Sequence, residues 1–88
     1  MSDSERLAIA RSVAEKEFMD AFACLFAFAG DGRLADFRAG RFALASSILR
    51  DGFLLSESEI EALKIKAREK VPALVESVKA MGWFTKAA

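Results

Sequence analysis

Histidine, tyrosine, asparagine and glutamine are missing from the 88 residues, and cysteine, tryptophan and proline occur once each. Each absence removes a class of chemistry. Without histidine there is no imidazole metal site and no His-based acid–base or nucleophile dyad. Without asparagine or glutamine the usual bidentate contact to adenine cannot be made. A lone Cys24 forms no intrachain disulfide, and its place inside an apolar stretch marks it as a small buried hydrophobe rather than a reactive thiol. A site would have to be built from Arg, Lys, Asp, Glu, Ser and backbone, and no cofactor or metal is expected.

Charge of one sign is also lacking. Thirteen basic residues balance thirteen acidic ones, so net charge steers the chain neither to nucleic acid nor to anionic membrane. The longest apolar stretch, Phe18–Ala29, is twelve residues with Asp20 inside it, short of the ~20 that span a bilayer. The opening MSDSER is polar and acidic, unlike a signal or transit peptide, so the expected location is the cytoplasm. No strand alternation and no low-complexity linker occurs.

What is present is apolar: 53% of residues are hydrophobic, eight of them Phe. A chain of 88 residues forms one domain, 1–88, and buries only about 60–65% of the surface its unfolded form exposes. With disulfide and imidazole-bound metal excluded, oligomerisation is the remaining means of adding stability.

The patterning is helical throughout. Ser2 with Glu5 fits a capping box, and a first helix over about residues 4–29 carries Leu7, Ala10, Ala14, Phe18, Ala21, Leu25 and Phe28 on one continuous face. Phe22, Phe26 and Ala29 add a second stripe, leaving Lys16, Asp20, Ala23 and Ala27 as a small or charged strip. Gly30 stands where a C′ glycine stops a helix. The segment 33–50 puts Leu34, Phe37, Leu44, Ala45 and Ile48 on one face with Arg41 among them. Burying that guanidinium without a partner is costly, so a break or bend near Gly40 is expected, freeing Arg41 to reach solvent or a carboxylate; Glu17 is the natural mate for Arg41 or Arg38.

Ser56 and Glu59 form a second capping box with a Leu55–Ile60 staple. The series Ile60, Leu63, Ala67, Val71, Leu74, Val78 and Met81 stays in phase through Pro72, so one helix over about 57–81, kinked at Pro72, is expected. The other outcome is a stop near residue 70 and a restart with Pro72 in the first turn. The expected fold is an all-α helical bundle of three main segments. Its two long helices lie antiparallel, the middle segment crosses them, and Gly82 ends the last helix.

Aromatic enrichment characterises the centres of protein interfaces. A homodimer is therefore expected with the first helix at or near its interface, formed by Phe18, Phe22, Leu25, Phe26, Trp83 and Phe84. Arg33, Arg38, Arg41 and Arg50 gather on the middle segment as a ridge for a partner. The functional expectation is a non-enzymatic protein-interaction module: an adaptor, chaperone or inhibitor. The alternative is a nucleic-acid-associated regulator using the same arginines, although Glu57, Glu59 and Glu61 would repel phosphate.

Overall fold

Ser2 and Ser56 start helices as their spacing to Glu5 and Glu59 predicts. In the computed structural model, which describes residues 1–30 and 32–81, Ser2 Oγ accepts from the Glu5 N–H at 3.1 Å. The Glu5 carboxylate accepts from the Ser2 N–H at 2.7 Å. Ser56 and Glu59 repeat the arrangement at 3.2 and 2.8 Å. Each box satisfies two N–H groups that a helix start leaves orphaned.

Every regular element among the described residues is helical. α1 is Asp3–Ala27, α2 Ala35–Ser47, α3 Glu57–Glu69 and α4 Val71–Ala80; a π-helical turn, Ile48–Gly52, extends α2. That turn closes with the Phe53 N–H on the Ile48 carbonyl at 3.1 Å, and it aims Leu49 into the core with no exposed surface.

Cross-helix contacts give the directions. Arg41 meets Glu17, and Arg38 lies over the Phe28 ring, so α2 runs antiparallel to α1. Glu59 binds Arg11, Lys64 lies over Phe22 and Arg68 over Phe26, so α3 runs parallel to α1. The expectation of two long antiparallel helices with a crossing middle segment is therefore corrected: the order is up, down, up around a central α1.

Two further expectations change. α2 continues through Gly40 without a break, because Arg41 finds its carboxylate from within a regular helix. A helical glycine costs only about 1 kcal/mol relative to alanine. The stretch 57–81 is not one kinked helix: α3 ends at Glu69 and α4 begins at Val71 with Pro72 in its first turn. Proline lacks an N–H to continue the ladder, and the first turn of a new helix does not need one. Since α3 already reaches Phe26 near the end of α1, a straight continuation would project past α1. α4 instead packs on α1, so the chain bends at Lys70.

Phe18 is the centre of the core, fully buried with Ala45, Leu49, Leu55, Ile60 and Leu63. Its ring centroid lies 5.3 Å from that of Phe42. Burying one such side chain stabilises by about 1.5–3 kcal/mol. Ala23 and Ala27 are buried too, as is Val78 on α4. With α2 and α3 on the other sides of α1, this small-residue side is left to α4. Gly82, Trp83 and Phe84, and with them part of the expected interface, lie outside the described residues.

Candidate functional site

Burial is uneven along α1. From Phe18 onward α2, α3 and α4 surround it, but its first half is covered much less: Leu7 and Val13 are 62% and 63% exposed. Phe37 and Leu44 on α2, and Ile48 at the start of the π-helical turn, face outward around Arg41, with Phe37 67% and Leu44 64% exposed. Ala45 and Leu49 are the α2-side residues that enter the core.

Two open grooves follow from this geometry and share Phe53. One, of about 330 Å³, lies between α1 and the end of α2, lined by Ala10, Val13, Ala14, Ala45 and Ile48 with Glu17 at its edge. The other, of about 520 Å³, lies at the start of α1, lined by Leu7, Ala8, Phe53 and Leu54 with Ser4, Arg11 and Gly52. Leu54 is the most exposed large apolar residue among the described residues and holds φ at 57°, a left-handed backbone that leucine rarely adopts.

Arg41 sits in the outward α2 face and is held from α1. Its Nε and Nη2 donate to the two Glu17 oxygens at 2.6 and 3.0 Å, and Nη1 lies 3.8 Å from Cys24 Sγ. The Arg41 hydrogen bonds hold the Glu17 carboxyl below its usual range, and the carboxylate raises Arg41 in turn.

The other three ridge arginines are spread apart. Arg38 covers the Phe28 ring at 5.2 Å. Arg50, beyond the end of α2, binds Glu57 at 3.0 Å. Arg33 stands in the turn before α2. At least two of the four are thus engaged with carboxylates of the same chain.

Of the expected interface residues, Phe18 has no exposed surface and so offers nothing to a second copy. Phe22 and Leu25 are half-buried, Phe22 lying parallel to Phe18 and tilted against Phe42. Phe26 keeps 39% exposure, with Arg68 over its ring at 4.9 Å. The aromatic run is largely the chain's own core, screened by cations; the outward face of α2 and the start of α1 carry much of the uncovered apolar surface among the described residues, with Leu34, Leu54, Ile65 and Met81 exposed elsewhere.

Net neutrality conceals a polarised molecule. With α3 parallel to α1 and α2 antiparallel, residues 1–15 and 49–61 share one end and hold three basic and seven acidic side chains. Residues 16–30, 32–48 and 62–70 share the other and hold eight basic and four acidic ones. The starts of α1 and α3, whose partial positive charge favours acidic residues, both lie at the acidic end.

Among the described residues no three His, Cys, Asp or Glu side chains converge to hold a metal ion, and no helix is long and apolar enough to cross a membrane. No family model, curated protein or solved structure matches the chain.

Proposed function

We propose that this chain is a non-enzymatic protein-interaction module of the cytoplasm, an adaptor, chaperone or inhibitor that occupies a surface on another protein and works as a homodimer. The observation that carries the reading is the clustering of uncovered apolar side chains around the two grooves that share Phe53. Apolar patches of this kind, rimmed by charge, are typical of protein contact sites.

The groove at the acidic end is the one for the other protein. Leu7, Phe53 and Leu54 line it, and Asp3, Glu5, Asp51 and Glu57 belong to the same end. The segment it fits presents an apolar side chain flanked by lysine or arginine. Arg50, bound to Glu57, contributes to the rim; Arg33, Arg38 and Arg41 belong to the opposite half.

A photo-crosslinker at Leu54, used in cells, tests the reading. The expected product joins this chain to one protein through an apolar peptide with basic neighbours, and it disappears on Leu7→Glu. Products spread over many proteins, or insensitive to Leu7→Glu, contradict it.

Nucleic-acid regulation is the competing reading, and the Glu17–Arg41 and Glu57–Arg50 pairs speak against it by neutralising half of the ridge. Tight retention on heparin, lost steeply with added salt, would favour it instead.

A further inference from the structure

We infer that the outward face of α2, with Val13 of α1 beside it, is the contact between two copies of this chain, packed antiparallel about a two-fold axis. The inference rests on the proposed interaction role and names the occupant of one part of the uncovered surface.

Three features lead to this occupant. First, Phe37, Arg41 and Leu44 on α2 and Ile48, the first residue of the π-helical turn that extends it, recur at steps of four, three and four, the seam spacing by which two helices pack lengthwise. Phe37, Leu44 and Ile48 are 67%, 64% and 43% exposed, so the seam is formed and left open by the described helices. Gly40 lies beside it with nothing within 4 Å of where a side chain would stand, which permits close approach of a second helix.

Second, the charges choose the partner and its direction. Over residues 1–30 and 32–70, one end carries four more acidic than basic side chains, and the other carries four more basic than acidic. An antiparallel second copy sets the acidic end of each against the basic end of the other, twice. A parallel copy sets like against like. A chain whose two ends are opposite in charge is complementary to itself in one direction only.

Third, the one charge inside the seam is already matched. Arg41 is bound through two nitrogens by Glu17 of its own chain, so covering it does not strand a lone guanidinium. Near the two-fold axis the pair meets its own copy as a neutral unit. In this packing Phe37 of one protomer faces Ile48 of its partner at both ends of the seam.

Disulfide trapping tests the geometry. In a Cys24→Ser background, Phe37→Cys and Ile48→Cys chains are prepared separately, oxidised alone and oxidised as a mixture. The expected result is a dominant mixed disulfide joining positions 37 and 48, weak products from either chain alone, and a several-fold slower reaction at high salt. Dominant 37–37 and 48–48 products, no intermolecular disulfide, or a rate indifferent to salt each overturn the antiparallel dimer. The Leu54 groove lies outside this seam, so the two proposals fail separately. An intact 37–48 disulfide without the Leu54 cross-link sinks the proposed function alone, and the reverse pattern sinks the antiparallel seam alone.

Discussion

Arg41 grips Glu17 with two nitrogens, at 2.6 and 3.0 Å, and so ties the middle of α2 to the middle of α1 across 24 residues of sequence. Paired bonds of this kind fix orientation as well as distance. Here they hold the outward α2 face in register beside Val13. Both side chains are partly open to solvent, so screening limits the pair. Glu17→Gln is expected to cost about 0.5–1 kcal/mol in urea unfolding. A double-mutant cycle with Arg41→Met should return a coupling of the same order; zero coupling would mean that the two groups do not act together.

Acid should loosen the fold through the same groups. Glu17 is lowered by its hydrogen bonds from Arg41. Glu59 is lowered first by the Ser56 backbone N–H and then by Arg11, and Glu5 by the Ser2 backbone. For carboxylates lowered on folding, the stabilisation is fully present above the unfolded value of 4.5 and is lost as pH falls through the folded value. The melting temperature should hold steady with respect to these three groups from neutral pH down to about 5 and drop below about 4.5. A Glu17→Gln, Glu59→Gln chain should show a shallower drop, and an unchanged acid limb would contradict the assignment.

Leu34 and Leu54 hold φ at 60° and 57°, and both are largely exposed. A left-handed backbone costs a side-chain-bearing residue roughly 1–2 kcal/mol, against roughly 0.5–1 kcal/mol for the entropy that glycine adds to the unfolded chain. Leu54→Gly should therefore leave stability unchanged or raise it by up to about 1 kcal/mol, while removing an apolar wall of the end groove. Leu34→Gly should show the same stability change without affecting that groove. A clear loss of stability in either variant, measured by thermal melting, would show that the leucine side chain is needed for the fold.

Core and surface leucines should separate cleanly. Leu49 is fully buried beside Phe18, whereas Leu44, one and a half turns earlier, is 64% exposed. Leu49→Ala should cost about 2–5 kcal/mol, a large part of the stability available to a domain of this size. Leu44→Ala, measured at concentrations too low for association, should cost under about 0.5 kcal/mol. Comparable losses at both positions would place Leu44 in the core.

The capping boxes at Ser2 and Ser56 were legible because their chemistry closes within four residues. The all-helical class was legible because 3–4 spacing runs the whole chain. Directions were not. The stripe from Ile60 to Val78 keeps its phase whether the chain runs straight or bends at Lys70, so periodicity could not distinguish one helix from two. The length of α1 relative to α3 decides that, and it is a tertiary fact. The face of Leu34, Phe37, Leu44, Ala45 and Ile48 in the segment 33–50 has the composition of a core face, yet only Ala45 of the five is buried. The signal against burial was Arg41 in its midst, a cation whose partner Glu17 comes from another helix. Likewise the Phe18–Ala29 run has the composition of a shared surface, yet the fold covers most of it. Charge polarity was invisible to a net count, because it depends on which segments share an end.

The mass of the intact chain in solution tests the central claim most directly. Sedimentation equilibrium across a dilution series at low salt should give twice the 9.6 kDa chain mass, returning to a single chain on Leu44→Asp with the helical signal unchanged. A wild-type chain that stays at 9.6 kDa at every concentration, or a Leu44→Asp chain that dimerises as tightly as wild type, would contradict it.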